Sequence, residues 1–210
     1  MPRVYLLRHG QRADFTKGEQ CHWDSAWPNT AQTYEDPDSW ADPETAPWRL
    51  HCCDAPLTAT GREQARAAGK CLPDDVIVYT SPFHRCRETA QLLDKGVPIP
   101  DNSFTEQMHP DWFGHGGGFE YFEKHHRFPH RFYEHLPSDP LREPDEKAVR
   151  LRSKMVYDHV SKMDIDKPLV FVSHGGFIAH FLLEHSARTG RPCLMEGKGV
   201  RYCDLYCVDV

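Results

Sequence analysis

Three short apolar runs, "RVYLLRH", "DVIVYTS" and "KPLVFVSHGG", end on residues that a core does not accommodate readily. The first stops at Arg8, His9 and Gly10, the second at Ser81 with Arg85 just beyond, and the third at Ser173, His174, Gly175 and Gly176. Each run is too brief for a helix and rich in branched side chains, which predicts buried strands. Helical patterns stand between them. Thr58 is placed to cap a helix from about Ala59 to Cys71, and Ser81 to cap another with Pro82 at its first position and Gly96 at its end. "DEKAVRLRSKMVYDHVSKM" and "FIAHFLLEHSA" carry two more helices, and "VRYCDLYCVDV" alternates like a strand at a sheet edge. Strand and helix alternate without an internal repeat, so a layered α/β domain is expected.

With 210 residues, 39% hydrophobic and 27% charged, the chain suits one domain carrying insertions. Two stretches break the pattern. From Gln11 to about Cys53 no period survives among Trp, Pro, Asp and Thr, although Trp23, Trp27, Trp40 and Trp48 argue against full disorder. Residues 107–140 are glycine-broken, then aromatic and histidine-rich. The net charge of -6 argues against nucleic-acid binding. No apolar run approaches the length of a membrane span and no leader pattern is visible, so a soluble, cytoplasmic chain is expected. The eight cysteines form no CxxC pair and are read as reduced thiols.

In open α/β sheets ligands gather outside the carboxyl ends of the strands. Arg8, His9, Arg85 and His174 meeting there would form a compact cationic pocket, with backbone N–H groups supplied by the Gly175-Gly176 turn. Such a pocket suits a phosphoryl group, because a planar guanidinium offers paired donors to its oxygens. An imidazole, with an ordinary pKa of about 6.5, can be neutral and nucleophilic near physiological pH.

Four motifs in order carry a family resemblance: "RHG" at 8–10, "PLTATGREQA" at 56–65, "SPFHRCRETA" at 81–90 and "VSHGGFI" at 172–178. Together they resemble the histidine phosphatase superfamily. The resemblance implies a phosphoglycerate mutase-like fold, a three-layer α/β/α sandwich with a mostly parallel central sheet, and one domain over residues 1–210 with insertions at about 11–53 and 107–140. It implies a phosphoric monoester hydrolase that needs neither metal nor cofactor. His9 would take the phosphoryl group, Arg8 and Arg85 would clamp its oxygens, and His174 would bind it as the second histidine, beside the Gly175 backbone. Glu106, in "FTE", stands where the acid/base carboxylate belongs, with Asp111 as the alternative. Gln11 replaces the usual glutamate of the opening motif, and Phe15 falls where many members have an asparagine; Arg12 and Gln11 are candidate phosphate or substrate contacts. The "RHG-x-R-x-D" start and the "S-P-x-x-R-C" helix are similar to the branch holding ecdysteroid phosphatase and the phosphatases with a ubiquitin-associated domain.

Other residues have plainer readings. Thr58, Gly61, Gln64, Thr89 and Ala90 fit a cap and packing rather than substrate contact. His109, His115, His125, His126, His130 and His135 are read as a solvated lid face, since Pro129 interrupts the one helical pair and no ligand pattern completes a metal site. Two other functions compete. A mutase would share the nucleophilic residues, but its "E-R-H-Y-G" stretch is absent from "EQMHPDW". A noncatalytic interaction module would keep the fold without needing so complete a set. The substrate is a phosphorylated small molecule or a phosphoprotein; no nucleic-acid or membrane partner is expected, and a homodimer is compatible with the sequence.

Overall fold

A computed structural model of the chain describes residues 1–12, 57–106, 128–133, 146–195 and 198–210. Along the chain run β1 (Arg3–Arg8), α1 (Ala59–Lys70), β2 (Ile77–Thr80), α2 (His84–Leu92), β3 (Ile99–Pro100) and a 3₁₀ turn (Asn102–Phe104). Then follow α3 (Glu146–Val160), β4 (Leu169–Ser173), α4 (Gly175–Thr189) and β5 (Leu205–Asp209). The sheet order is β3-β2-β4-β1-β5, parallel throughout except for β5, which pairs antiparallel with β1 at the edge.

The unbroken apolar runs follow from this layering, because a parallel strand with helices on both faces has no solvated side. All five residues of β4 are buried. Leu169 and Phe171 point into a core shared with Val156 and Val160 of α3 and Phe177 and Phe181 of α4. Val170 and Val172 point the other way, with Leu7 and Val78, onto Ala68 of α1 and Cys86 and Ala90 of α2. The result is the expected α/β/α sandwich around a mostly parallel sheet.

Local signals explain most boundaries. Thr58 caps α1 as expected, its hydroxyl accepting from Gly61 N at 2.9 Å. α4 ends at Gly190, whose φ of 67° an L side chain would adopt only with strain. α2 differs from the sequence expectation at both ends: it begins at His84 rather than at Pro82 and ends at Leu92, short of Gly96. Ser81 does not cap it, since the Ser81 hydroxyl meets the His174 ring at 2.8 Å and Phe83 supplies the cap position without a side-chain bond.

Register sets the strand ends level. Arg8 lies opposite Ser173, and Thr80 lies opposite both Val172 and Pro100, so the next residues of each strand share one end of the sheet. Most of the two expected insertions, with Asp111, Phe15 and the four tryptophans, lies outside the described residues. Residues 128–133 are described. His130 is exposed and stacks on Tyr133, but Phe132 is buried edge-on against Tyr79 and Phe104, at 4.9 and 5.0 Å between centroids. Part of the histidine-rich stretch therefore belongs to the core. No helix among the described residues is long and apolar enough to cross a membrane.

Candidate active site

His9 follows β1 directly and is buried, and its backbone N–H donates to Ser173 O at 3.1 Å. Its Nδ1 lies 2.8 Å from Gly10 O. A carbonyl only accepts, so Nδ1 carries the ring proton and Nε2 keeps its lone pair. Arg85 Nε donates towards that nitrogen at 3.3 Å. Burial above all, then the charge of Arg85, the neighbouring His174 ring and the charges of Arg8 and Arg12, push the imidazole well below its usual pKa, so it stays neutral.

Gly10 is confined by close backbone approach. A Cβ there would lie 2.5 Å from Gly61 O, so the strand end and the first turn of α1 pack backbone to backbone. Gly10 N donates to Thr89 Oγ1 (3.0 Å), and Gln11 N donates to Gln64 Oε1 (3.0 Å). The Gln11 side chain accepts from Thr58 Oγ1 at 2.9 Å, which commits it to the start of α1. Thr58, Gln64 and Thr89 thus brace the turn after His9.

Arg85 comes from the first turn of α2 and is buried. Its Nη2 lies 3.1 Å from His174 Nδ1 and 3.8 Å from Glu106 Oε2. His174, fully buried at the start of α4, has its Nδ1 3.2 Å from Glu106 Oε2 and its Nε2 2.8 Å from Ser81 Oγ. A donor and an acceptor face the same Nδ1, and the Ser81 hydroxyl can either give or accept, so it serves both imidazole tautomers. Cys86 Sγ packs 3.4 Å from Nε2. Burial holds His174 down to about 4, Glu106 opposing this and Arg85 reinforcing it.

Glu106 follows the 3₁₀ turn and keeps 27% of its side chain exposed. Burial disfavours its charge, but His174, Arg85 and Arg12 outweigh this and hold the carboxyl down to about 2. Arg8 is held by the loop before β5: its Nη1 donates to Val200 O at 2.5 Å, and its guanidinium lies 4.4 Å from the Tyr202 ring centroid. Arg8 Nε is buried without a hydrogen-bond partner among the described residues, close to where a Cβ on Gly175 would stand, at 3.7 Å. Arg12 bridges to Leu57 and acts on His9, His174 and Glu106 through its charge.

The structure thus brings Arg8, His9, Arg85, Glu106 and His174 together at one end of the sheet, with Arg12 and Gly175 beside them. Ser81, Cys86 and Tyr202, whose ring centroid is 5.6 Å from that of His9, were not singled out for the site from sequence. Ser81 has a signal in its motif, but before Pro82 that signal equally fits a cap; Tyr202 has none. Several fixed cationic donors around a neutral imidazole whose Nε2 is unprotonated can hold a tetrahedral dianion against a nucleophile.

Comparison with known proteins gives the family of the chain. Residues 46–191 match the family described as histidine phosphatase superfamily (branch 1), and the chain belongs to that superfamily, a class of phosphatase enzymes. The chain is 29% identical over 153 residues to the uncharacterized phosphatase PhoE of Bacillus subtilis (strain 168), covering 71% of this chain and 74% of that one. Solved structures share the fold. The ecdysone phosphate phosphatase of Bombyx mori, in complex with tungstate, has a TM-score of 0.58 at 19% identity, over 99% of this chain and 88% of that one. A mycobacterial glucosyl-3-phosphoglycerate phosphatase has a TM-score of 0.55 at 19% identity, over 100% and 93%.

Proposed function

We propose that the chain hydrolyses phosphomonoesters, without a metal ion, through a phosphohistidine on His9. The observation that carries this reading is the surroundings of that ring: Nδ1 lies 2.8 Å from Gly10 O, which can only accept, and Nε2 faces Arg85 Nε at 3.3 Å, which leaves Nε2 unprotonated. In the first step the Nε2 lone pair attacks phosphorus and the bond to the ester oxygen breaks. Charge on the three equatorial oxygens is met by Arg8, Arg12, Arg85 and His174, with the Gly175 backbone beside them. Gln11 acts from outside the pocket, holding the turn after His9 on α1.

Glu106 donates its carboxyl proton to the departing alkoxide. In the second step water attacks phosphorus, the P–N bond breaks, and the Glu106 carboxylate takes the water proton. A carboxyl held down to about 2 is ionised near neutral pH and has no proton to give, but a phosphoryl dianion among the same cations cancels the field that holds it there. Substrate binding therefore raises the acid it needs.

The substrate is a phosphorylated small molecule or a phosphoprotein, in a cytoplasmic setting where Cys71, Cys86, Cys193, Cys203 and Cys207 stay free thiols. The deciding experiment assays phosphate release from an aryl phosphate, with a chelator present, for wild type and His9→Ala. Quenched wild type should carry an acid-labile, alkali-stable phosphoryl label that His9→Ala lacks. Hydrolysis by His9→Ala at the wild-type rate would overturn the covalent route.

A further inference from the structure

The backbone leading to Glu106 is anchored at three successive carbonyls, each by a buried side chain distant in sequence. Arg152 Nη1 donates to Ser103 O at 2.7 Å, Ser173 Oγ to Phe104 O at 2.8 Å, and Arg152 Nη2 to Thr105 O at 2.9 Å. Arg152 comes from α3 and is fully buried, with its guanidinium 5.6 Å from the Phe177 ring centroid. A guanidinium inside a core is costly unless its donors are well placed. Its planar fork spans two carbonyls of one turn, which a lysine ammonium does not match. Ser173 is the residue before His174, so its bond ties the Glu106 turn directly to the strand end that presents the histidine. The turn is also closed from within, by Asp101 accepting from Ser103 N at 2.8 Å and by Thr105 Oγ1 donating to Asn102 O at 3.1 Å.

We infer that Arg152, together with Ser173, is a positioning residue for proton transfer: it fixes the Ser103–Thr105 backbone so that the Glu106 carboxyl stands at the leaving oxygen. The inference rests on the reading of Glu106 as the acid. Arg152 lies behind the pocket and acts through this backbone, so its loss should affect the chemistry selectively. An alkyl leaving group needs a proton as the ester bond breaks, whereas an activated aryl leaving group departs without one.

The test compares kcat/KM, which reports the first phosphoryl transfer, on an alkyl phosphate and on 2,4-dinitrophenyl phosphate. Glu106→Gln is expected to lose on the order of 10²- to 10⁴-fold on the alkyl ester and less than about tenfold on the activated one. Arg152→Met and Arg152→Lys are expected to lose roughly 10²-fold on the alkyl ester and less than about threefold on the activated one. Ser173→Ala, which removes a single hydroxyl, should show the same selectivity with a smaller loss, and it carries the test if the arginine variants do not fold. Equal losses on both esters, or no loss, in Arg152→Lys and Ser173→Ala overturn the inference while leaving Glu106 its role. Equal behaviour of Glu106→Gln on the two esters overturns the role of Glu106 and the inference with it.

Discussion

Acid should destabilise this protein through His174 in a window that can be stated in advance. The ring is fully buried; burial holds it down to about 4 against its ordinary 6.5, despite Glu106 pulling it up. The unfolded chain binds a proton below 6.5 that the folded chain refuses until about 4, so stability falls as pH drops through that interval. Above 6.5 both states are neutral and the effect vanishes. Linkage at pH 5 gives a loss of about 2 kcal/mol relative to pH 7.5, a large share of the roughly 5–15 kcal/mol that holds a domain folded. The measurement is urea unfolding of wild type and His174→Gln at both pH values. That range lies above the interval from 4.5 to about 2 in which Glu106 titrates. Wild type should lose about 2 kcal/mol more than the glutamine variant on going to pH 5. If the two lose stability in parallel, His174 is not a buried neutral imidazole and the charge balance drawn for the pocket is wrong.

Three further outcomes are expected. Arg85→Lys keeps a charge but loses the fork that reaches both histidines, and kcat/KM on an aryl phosphate should fall by about 10²- to 10³-fold; a loss under about tenfold would remove Arg85 from the clamp. Gly10→Ala forces a methyl group against the Gly61 backbone and should cost at least about 1–3 kcal/mol, read as a lowered Tm together with a lowered kcat. Ser81→Ala strips the hydroxyl from His174 Nε2 and should lower stability by about 1–2 kcal/mol in a denaturant melt; an unchanged melt would mean that the bond contributes nothing net.

Much of the fold was legible because the parallel strands carry their own signature of branched, doubly buried runs. The meeting of Arg8, His9, Arg85 and His174 followed from it, since level parallel strands bring their carboxyl ends together. Local rules failed where a tertiary contact claimed the same atoms. Ser81 before Pro82 reads as a helix start, yet its hydroxyl goes to the His174 ring and α2 starts later. Phe132 is a core residue in surroundings of histidine and proline that show no period. Arg152 was invisible for another reason: a guanidinium bonded to backbone carbonyls leaves no partner residue to find in the sequence. Tyr202 reaches Arg8 only through the path of the loop before β5, which residue pattern does not specify.

The bridge between Arg12 and Leu57, with Thr58 N donating to Gln11 O at 3.0 Å, brings the chain back to within one hydrogen bond of where it left. The two ends of residues 13–56 are thus pinned to each other by described backbone. Lengthening a segment closed in this way is cheap, about 0.6 kcal/mol for each doubling. His9 and Arg8 precede the closure and are anchored by β1, so a change in the length of residues 13–56 need not displace them. The same junction offers an engineer a defined place at which to change the length of that segment.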